Sequence, residues 1–454
     1  MKSQAIVFNS FFHKQSYFSK SIVLFGLVAG LVVFSLPVSA SKGGETADNS
    51  RVITLKPEEV QVIKGSRIAS LSLAAVSGGR MNPIPFQFDE RTESGYIYMP
   101  DLEKKLKDED PIVGTEGFFD GNDDLLFMLK DAGPRRKNGM ATDGKVLAEI
   151  EVSGYDGVKR YVYIVEDARL ESENYYVRFS SKLGRVETDY YALKVDPKNA
   201  FMWQEFYYDS FDGAHPRKPI DTIKILMKAN ALASVPVQLT NKNVIAKAIA
   251  EKSGPVRSTT QYKMTLTYLK TPLLNMKLQI LHYEQEINYD AQVEIPTVRR
   301  RLVGKPELKL SLDGYDLQGA EVRVKGGPNK PAIVDGQISE VEKEMISTPL
   351  DSTITPWVWM DTHYGLMLFS NLNISGTEEV PVEVLYEDDA ESDDKAEYYK
   401  GQLPNVGYYI PRIPLEGTLN LSVEIKMFNQ ELDIPVDDFA NIVNKKPEIK
   451  IYKM

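Results

Sequence analysis

The feature that most constrains the fold is an alternation of apolar and polar residues with a period of two, which recurs along the chain from Val52 onward. Short segments with this pattern, separated by Gly, Pro, Asn or Asp, include Arg67–Leu73, Lys145–Val152, Arg160–Val165 and Glu187–Val195. Alternation puts the apolar side chains on one face of a β-strand, and Gly and Asp accept the backbone conformations of tight turns. The sequence therefore predicts a mainly β chain, with Gly154–Gly157 as a hairpin loop.

Two longer segments, Val256–Leu269 and Asn275–Tyr289, each have about 14 residues, with Thr271-Pro272 between them. Segments of this length that are rich in β-forming residues predict two long antiparallel strands of a large sheet. Helical patterns are few and short. We therefore expect a large antiparallel β-sandwich with a smaller N-terminal β domain.

The predicted domain organisation follows from local composition. Residues 41–50 are small and polar, which predicts a flexible leader, and residues 209–220 contain Gly213, Pro216 and Pro219, which are typical of a linker. We accordingly predict an N-terminal β domain over residues 51–208 and the large β-sandwich domain over residues 209–454.

Residues 1–40 have the pattern of a cleavable signal peptide. They contain three lysines and no acidic residue, and an apolar run from Ile22 to Leu36 precedes a short segment that ends at Ala40. The run is shorter than the roughly 20 residues of a membrane-spanning helix, and small residues precede the predicted cleavage after Ala40. This predicts an exported protein of the periplasm or the cell surface, without a transmembrane segment after cleavage.

The charge balance excludes some classes of partner. Removing residues 1–40 takes away three positive charges, so the formal net charge changes from −10 to −13. An acidic protein does not bind nucleic acid through a general basic surface, so we expect a glycan or an envelope protein as partner and no nucleic acid. The chain has no cysteine, which excludes disulfides, thiolate metal sites and iron–sulfur clusters.

One acidic segment suggests a metal site. Asp120, Asn122, Asp123 and Asp124 are closely spaced oxygen donors of the kind that Ca²⁺ prefers. Their spacing differs from that of an EF-hand loop, and Asp and Asn also satisfy the backbone of ordinary turns. The sequence therefore leaves a calcium site and a plain turn as alternatives, and it predicts no other cofactor.

Aromatic residues near one histidine suggest a ligand site. Trp357 and Trp359 are two residues apart, so on a strand they share one face, and Tyr364 follows closely. Flat aromatic faces bind the C–H face of sugars, although alternating tryptophans also occur in sandwich cores. His363 lies beside this group and is a candidate general base, with a structural role as the alternative.

Three strings carry a resemblance to a known group. They are Ile84–Glu90, Gly121–Met128 together with Lys130–Gly133, and Gly254–Arg257. These strings resemble exported bacterial proteins, some of which are similar to the large β supersandwich of sugar mutarotases and polysaccharide lyases. The resemblance implies a supersandwich-like fold, but the catalytic His and Glu of mutarotases have no aligned counterpart here.

Three functional hypotheses follow. Because the chain lacks the GxSxG elbow, the Walker A loop, GxGxxG and HExxH, the first is a non-enzymatic module that binds a glycan or a protein. The alternative is a carbohydrate-active enzyme, a polysaccharide lyase or an epimerase, with His363, His282, Tyr283 or Arg257 in its cleft. The third is a structural protein stabilised by calcium.

Overall fold

The computed structural model describes residues 42–100, 110–166, 172–180, 182–213, 218–231, 235–295, 303–350, 355–376, 379–389, 404–429 and 432–454. The predicted signal peptide lies outside the described residues. Most of what is described is β-strand, which confirms the predicted mainly β class. The helical elements are short: α1 (Lys42–Asn49), α2 (Glu340–Ile346), α3 (Val436–Asn444), and the 3-10 turns Ile68–Ser70, Leu129–Asp131 and Asn241–Asn243. None of the described helices is long and apolar enough to span a membrane.

Two small sheets form an N-terminal unit. The three-strand sheet has the order β1-β5-β4, with β1 (Val52–Leu55), β4 (Phe86–Asp89) and β5 (Asp124–Met128). The five-strand sheet has the order β27-β6-β7-β2-β3, with β2 (Leu71–Ser77), β3 (Arg80–Pro83), β6 (Lys145–Ser153), β7 (Lys159–Glu166) and β27 (Glu448–Lys453). Ile53 and Phe127 of the first sheet pack in one core with Ile150 and Ile164 of the second.

Thirteen strands of the described residues form the large sheet. Its order is β20-β19-β22-β23-β26-β17-β16-β15-β14-β11-β10-β9-β8. The strands are β8 (Arg178–Ser180), β9 (Arg185–Glu187), β10 (Tyr191–Asp196), β11 (Asn199–Tyr208), β14 (Val244–Ser253), β15 (Ser258–Tyr268), β16 (Thr271–His282), β17 (Glu286–Ile295), β19 (Glu321–Val324), β20 (Ala332–Ile333), β22 (Trp357–Asp361), β23 (Met367–Gly376) and β26 (Gly417–Phe428). Neighbours are antiparallel, except for a short parallel contact between β11 and β14.

The six-strand sheet covers one face of the large sheet. Its order is β13-β12-β18-β25-β24-β21, with β12 (Ile220–Ala231), β13 (Val235–Thr240), β18 (Val303–Gly314), β21 (Pro349–Leu350), β24 (Val382–Glu387) and β25 (Asn405–Ile410). Leu278 and Tyr289 of the large sheet share a buried core with Ile225 and Tyr408 of the six-strand sheet. The large antiparallel β-sandwich predicted from the long alternating strands is therefore confirmed.

The opposite face of the large sheet, called here its outer face, is covered at two places. The N-terminal unit contacts it through Gln279, whose side chain donates to the carbonyl of Ile97 and accepts from the N–H of Ile97, both at 2.9 Å. Helix α3 covers another part, where Phe439 meets Phe369 and Phe428 edge-on at ring distances of 6.0 and 5.1 Å. Between these two contacts, the outer face carries polar side chains.

Two turns between strands were predicted from the sequence, and the structure places one of them as predicted. The loop at Gly154–Gly157 joins β6 and β7 as predicted, and Gly157 has a positive φ of 74°. The turn between β15 and β16 lies at Leu269 and Lys270, with φ of 48° and 66°, and not at Thr271-Pro272. A two-residue hairpin turn of type I′ has positive φ at both central residues and usually contains Asn, Asp or Gly. Leu269 and Lys270 are not of these types, so the sequence did not indicate a turn here.

Three facts bear on the predicted domains. Within the predicted leader, Lys42–Asn49 form helix α1, with Ala47 and Asp48 buried. Strand β27, at the C-terminal end, belongs to the five-strand sheet beside β6. Strands β8 to β11 lie in the large sheet together with β14 to β17, so strands on both sides of residue 209 share one sheet. The division between residues 208 and 209 stays a prediction.

Candidate functional site

A polar groove lies on the outer face of the large sheet. Its volume is about 440 Å³, within the range of small-molecule sites. Strands β17, β23 and β26 form its floor, and Ser94–Tyr96 of the N-terminal unit form one wall. Its polar lining residues are Ser94, Tyr96, Asp290, Gln292, Thr355, Asn373, Ser375, Asn420 and Ser422.

Strand alternation explains why this face is polar. In β17, Tyr289 and Ala291 face the sandwich interior, so Asp290 and Gln292 face the groove. The register pairs Asp290 with Ser422 of β26, and Asn373 of β23 also pairs with Ser422. Polar residues of three neighbouring strands therefore meet on one surface.

Asp290 is the acidic group of the groove. Its Oδ1 accepts a hydrogen bond from the hydroxyl of Ser422 at 2.5 Å. Burial raises the pKa of the Asp290 carboxyl above its ordinary value, and the nearby carboxylate of Glu424 adds to the rise. A carboxyl with a raised pKa keeps its proton to higher pH and can donate it.

Glu424 lies two residues beyond Ser422 on the same face of β26. Its Oε2 lies 3.3 Å from Nζ of Lys426, and Lys426 also pairs with Glu286 at 2.5 Å. The ammonium of Lys426 holds the pKa of Glu424 below its ordinary value, so this carboxyl is ionised at neutral pH. Asp290 and Glu424 are thus two carboxyls on one face of the sheet whose pKa values are shifted in opposite directions, and of the two only Asp290 lines the groove.

The register sets the spacing of these two carboxyls. Asn288 is opposite Glu424, and Asp290 is opposite Ser422, so Asp290 and Glu424 are diagonal neighbours on paired strands. Diagonal neighbours of this kind are roughly 7–8 Å apart. This spacing of strand positions places both side chains near each other on one face of the sheet.

Amide side chains complete the floor of the groove. The side-chain amide of Gln292 donates to the side-chain oxygen of Asn420 at 3.1 Å. The hydroxyl of Thr355 donates to the side-chain oxygen of Asn373 at 3.3 Å. Next to Asp290 on the same face, but outside the groove lining, the side-chain oxygen of Asn288 is buried and has no hydrogen-bond partner in the described structure. Amides and hydroxyls offer both donors and acceptors, as a polyhydroxyl ligand requires.

The predicted site residues Arg257 and Tyr283 do meet, but not in a groove. Nη1 of Arg257 donates to the hydroxyl of Tyr283 at 2.7 Å, and both side chains are buried. Nε of Arg257 pairs with Asp89 at 2.7 Å, and its Nη2 pairs with Asp124 at 3.0 Å. This ion cluster joins the three-strand sheet to the large sheet.

The contacts of Asp120, Asn122, Asp123 and Asp124 do not favour a calcium site, and the calcium interpretation stays a prediction. Asp124 contacts three cationic groups, those of Lys56, Arg91 and Arg257, which would repel a metal ion. Asp123 accepts from the backbone N–H of Asp120 at 3.0 Å, and Asp120 from that of Thr115 at 3.0 Å. Among the described residues, no group of three or more His, Asp or Glu side chains is arranged to hold a metal. The alternative, a turn, describes this segment.

The two candidate histidines lie apart from each other and from the groove lining. His282 is buried, with its ring stacked on Phe179 and its Nδ1 3.4 Å from the hydroxyl of Tyr191. Burial lowers the pKa of His282 to about 3, so it is neutral at physiological pH. His363 is exposed in a turn near Asp361 and Glu321, at 3.6 and 3.5 Å. Neither lines the groove.

The predicted aromatic platform is divided between two environments. Trp357 and Trp359 do share the outer face, but they are 2% and 5% exposed in the cluster that contains Phe439 of α3. A sugar cannot reach buried indole faces, so these two tryptophans pack in a hydrophobic core, which was the alternative interpretation. Tyr364 is exposed, and its hydroxyl donates to the carbonyl of Gln318 at 3.3 Å.

Sequence reasoning missed Asp290, Ser422 and Glu424. The available signal was the strict alternation of polar residues at positions 286, 288, 290 and 292 and at positions 420, 422, 424 and 426. That pattern predicts a polar face on each strand. It does not predict that the two strands are neighbours.

Comparisons with known proteins give weak structural similarities. No protein-family model matches the chain, and no curated protein has a matching sequence. The chain is similar to an α-mannosidase from Enterococcus faecalis V583, with a TM-score of 0.41 and 10% identity over 92% of this chain, and it spans 45% of that protein's length. For a galactose 1-epimerase from Lactobacillus acidophilus NCFM, the TM-score is 0.31 and the identity 9%, over 54% of this chain and 94% of that one. For a heparan sulfate lyase from Pedobacter heparinus, the TM-score is 0.27 and the identity 12%, over 57% of this chain and 36% of that one. At TM-scores this low, none of these similarities establishes an activity.

Proposed function

We propose that the groove binds a carbohydrate and that the chain is a carbohydrate-active enzyme that works by acid–base catalysis. The observation that carries this proposal is the pair Asp290 and Glu424, whose pKa values are shifted in opposite directions on one polar surface. Carboxyl pairs with diverging pKa values are the usual means by which one site both donates and accepts protons. This pair of carboxyls supports the enzyme hypothesis over a module that only binds a glycan.

The two carboxyls have distinct roles in this proposal. Asp290 donates its proton to the ring or leaving-group oxygen of the bound sugar, and Glu424 accepts a proton from the sugar or from water. Lys426 keeps Glu424 ionised, and Ser422 orients Asp290 through its hydrogen bond. The amides of Gln292, Asn373 and Asn420 would bind sugar hydroxyls.

The location of this activity is part of the proposal. The predicted signal peptide over residues 1–40 supports a site of action in the periplasm or at the cell surface. Glycans of the envelope are within reach of an enzyme exported there.

The test compares binding with turnover in matched variants. We would measure mutarotation of reducing sugars by polarimetry, and cleavage of polysaccharides by new reducing ends and by the absorbance of unsaturated products. Asp290→Asn and Glu424→Gln should lower turnover by roughly 100-fold or more, because a general acid or base contributes at least that much. Glu294→Gln, an exposed neighbour on the same strand, is the control and should retain full activity.

Two outcomes would contradict the proposal. If Asp290→Asn and Glu424→Gln turn over substrate as the unchanged protein does, the reaction does not use this pair. If the protein binds glycans on an array but turns over none of them, the groove belongs to the non-enzymatic glycan-binding module.

A further inference from the structure

A second cavity lies inside the sandwich, between the large sheet and the six-strand sheet. Its volume is about 180 Å³. Met276, Val293 and Leu421 of the large sheet line one side, and Met227 and Leu310 of the six-strand sheet line the other. We call this space the inter-sheet cavity. It is separated from the polar groove by the thickness of the large sheet, because alternate residues of β17 and β26 face the two spaces.

The lining of the inter-sheet cavity is apolar. Within the described residues, it includes no Asp, Glu, Lys, Arg or His side chain. Its tyrosine hydroxyls already have partners, since that of Tyr289 accepts from the indole of Trp203 at 3.2 Å and that of Tyr408 donates to the carbonyl of Ser370 at 2.8 Å. A ligand in this space therefore needs no charge and no hydrogen bond.

The two sheets do not close on each other along part of their length. Leu308, Leu310 and Leu421 point between the sheets but are only half-buried, whereas Leu278 and Leu372 deeper in the same core are fully buried. Native cores are close-packed and contain few voids larger than a water molecule. An apolar space of this size stays dry and favours an apolar occupant.

The shape of the space restricts the occupant. Stacked sheets lie roughly 10 Å apart, and the lining residues come from both sheets, so the space lies between two layers of side chains. Four methionines line it, Met227, Met264, Met276 and Met360, and their unbranched, flexible side chains adapt to a flexible apolar ligand.

We propose that the inter-sheet cavity binds one unbranched hydrocarbon chain, from a free fatty acid or from a single-chain lipid. The hydrocarbon enters between the sheets, and the polar head stays outside the apolar lining. This binding site is independent of the proposed carbohydrate activity.

The test uses cis-parinaric acid, a fatty acid whose fluorescence rises in an apolar environment. The protein should bind the probe in a saturable manner, and unlabelled palmitate should displace it. Leu310→Trp fills the cavity and should weaken binding by 10-fold or more. The control, Lys309→Trp, changes the adjacent residue, which pairs with Glu387 at 2.8 Å, and should bind as the unchanged protein does.

A second variant and a second ligand keep the test decisive. If Leu310→Trp does not fold, Met276→Trp fills the same space from the opposite sheet. Displacement by palmitoyl-lysophosphatidylcholine alone would identify a lipid as the source of the chain, and displacement by palmitate alone would identify the free acid. The proposal is wrong if the probe does not saturate, if a folded cavity-filling variant binds normally, or if cholesterol displaces the probe as well as palmitate does. Asp290→Asn should leave probe binding unchanged, which separates this result from that for the groove.

Discussion

Nε of Arg257 donates to Oδ2 of Asp89 at 2.7 Å, and the two side chains are 3% and 0% exposed. Asp89 is the register partner of Asp124, and Nη2 of Arg257 reaches that second carboxylate. Although burial alone would raise the pKa of Asp89, Arg257 and Lys252 hold it well below its usual value. One arginine thus bridges two buried carboxylates where the N-terminal unit contacts the large sheet, and Lys252, Lys56 and Arg91 supply the remaining positive charge.

Replacing this arginine should destabilise the protein strongly. Arg257→Met leaves Asp89 and Asp124 buried without their shared partner, and removal of one member of a buried ion pair costs about 3–5 kcal/mol. Urea unfolding of the variant would measure this free energy. Arg185→Met, which removes the exposed pair with Glu187, is the control and should change stability by less than about 1 kcal/mol. If Arg257→Met lowers the free energy of unfolding no more than the control does, the ion cluster of Arg257, Asp89 and Asp124 does not stabilise the fold.

Asp388 should make stability depend on pH. Its side chain is buried, Oδ2 accepts from the N–H groups of Asp335 and Gly336, and Oδ1 has no partner in the described structure. Burial raises the pKa of Asp388 from 3.8 to about 6, so the folded state binds its proton more tightly than the unfolded state does. The free energy of unfolding therefore falls as pH rises from about 4 to about 6. Above that range Asp388 is ionised in the folded state, and this loss of stability does not increase further.

Asp388→Asn removes this cost, because the amide is neutral at every pH. We expect the variant to be more stable than the unchanged protein by about 1–2 kcal/mol at pH 7, and the difference to vanish below about pH 4. Thermal or urea unfolding at several pH values measures both effects. Asp389→Asn, at the exposed neighbouring position, should show no such pH-dependent gain. A gain that is equal at pH 4 and pH 7 would show that ionisation of Asp388 is not its cause.

Chelation should leave the protein unaffected. Lys56, Arg91 and Arg257 contact Asp124, so we expect the acidic segment at residues 120–124 to bind no divalent cation. The melting temperature should be the same with EDTA and with added Ca²⁺. A fall with EDTA that Ca²⁺ reverses would restore the calcium hypothesis.

The predicted signal peptide can be tested by the mass of the exported protein. Cleavage after Ala40 would leave Ser41 at the N-terminus, directly before helix α1. Ala40→Tyr puts a large residue at the position where signal peptidase requires a small one, so the precursor should accumulate. Recovery of the unchanged protein with Met1 in place would contradict cleavage.

Local features of the fold were predictable because they depend on neighbouring residues. The alternation in Val256–Leu269 predicted β15 to within about two residues at each end, whereas Asn275–Tyr289 includes most of β16, the turn at residues 283–285 and the start of β17. Gly154–Gly157 was recognised as a turn because glycine accepts positive φ. Leu269 and Lys270 were missed, since neither residue type favours that conformation.

The same limit applies to Trp357 and Trp359. Their spacing predicted a shared face, and they do share one. Whether that face binds a ligand or packs in a core was decided by helix α3, which brings Phe439 over them from a distant part of the sequence. Spacing along one strand carries no information about what covers it.

The sequence by itself determined the β class, the sandwich of long strands and the polar face of β17 and of β26. Only the tertiary structure decided that β17 and β26 are neighbours, although more than 100 residues separate Ile295 from Gly417. The physical reason is that alternation arises from the geometry of each strand alone, whereas pairing is selected by the packing of the whole core. Asp290 and Glu424 were therefore visible as polar positions, but their place on neighbouring strands of one face was not.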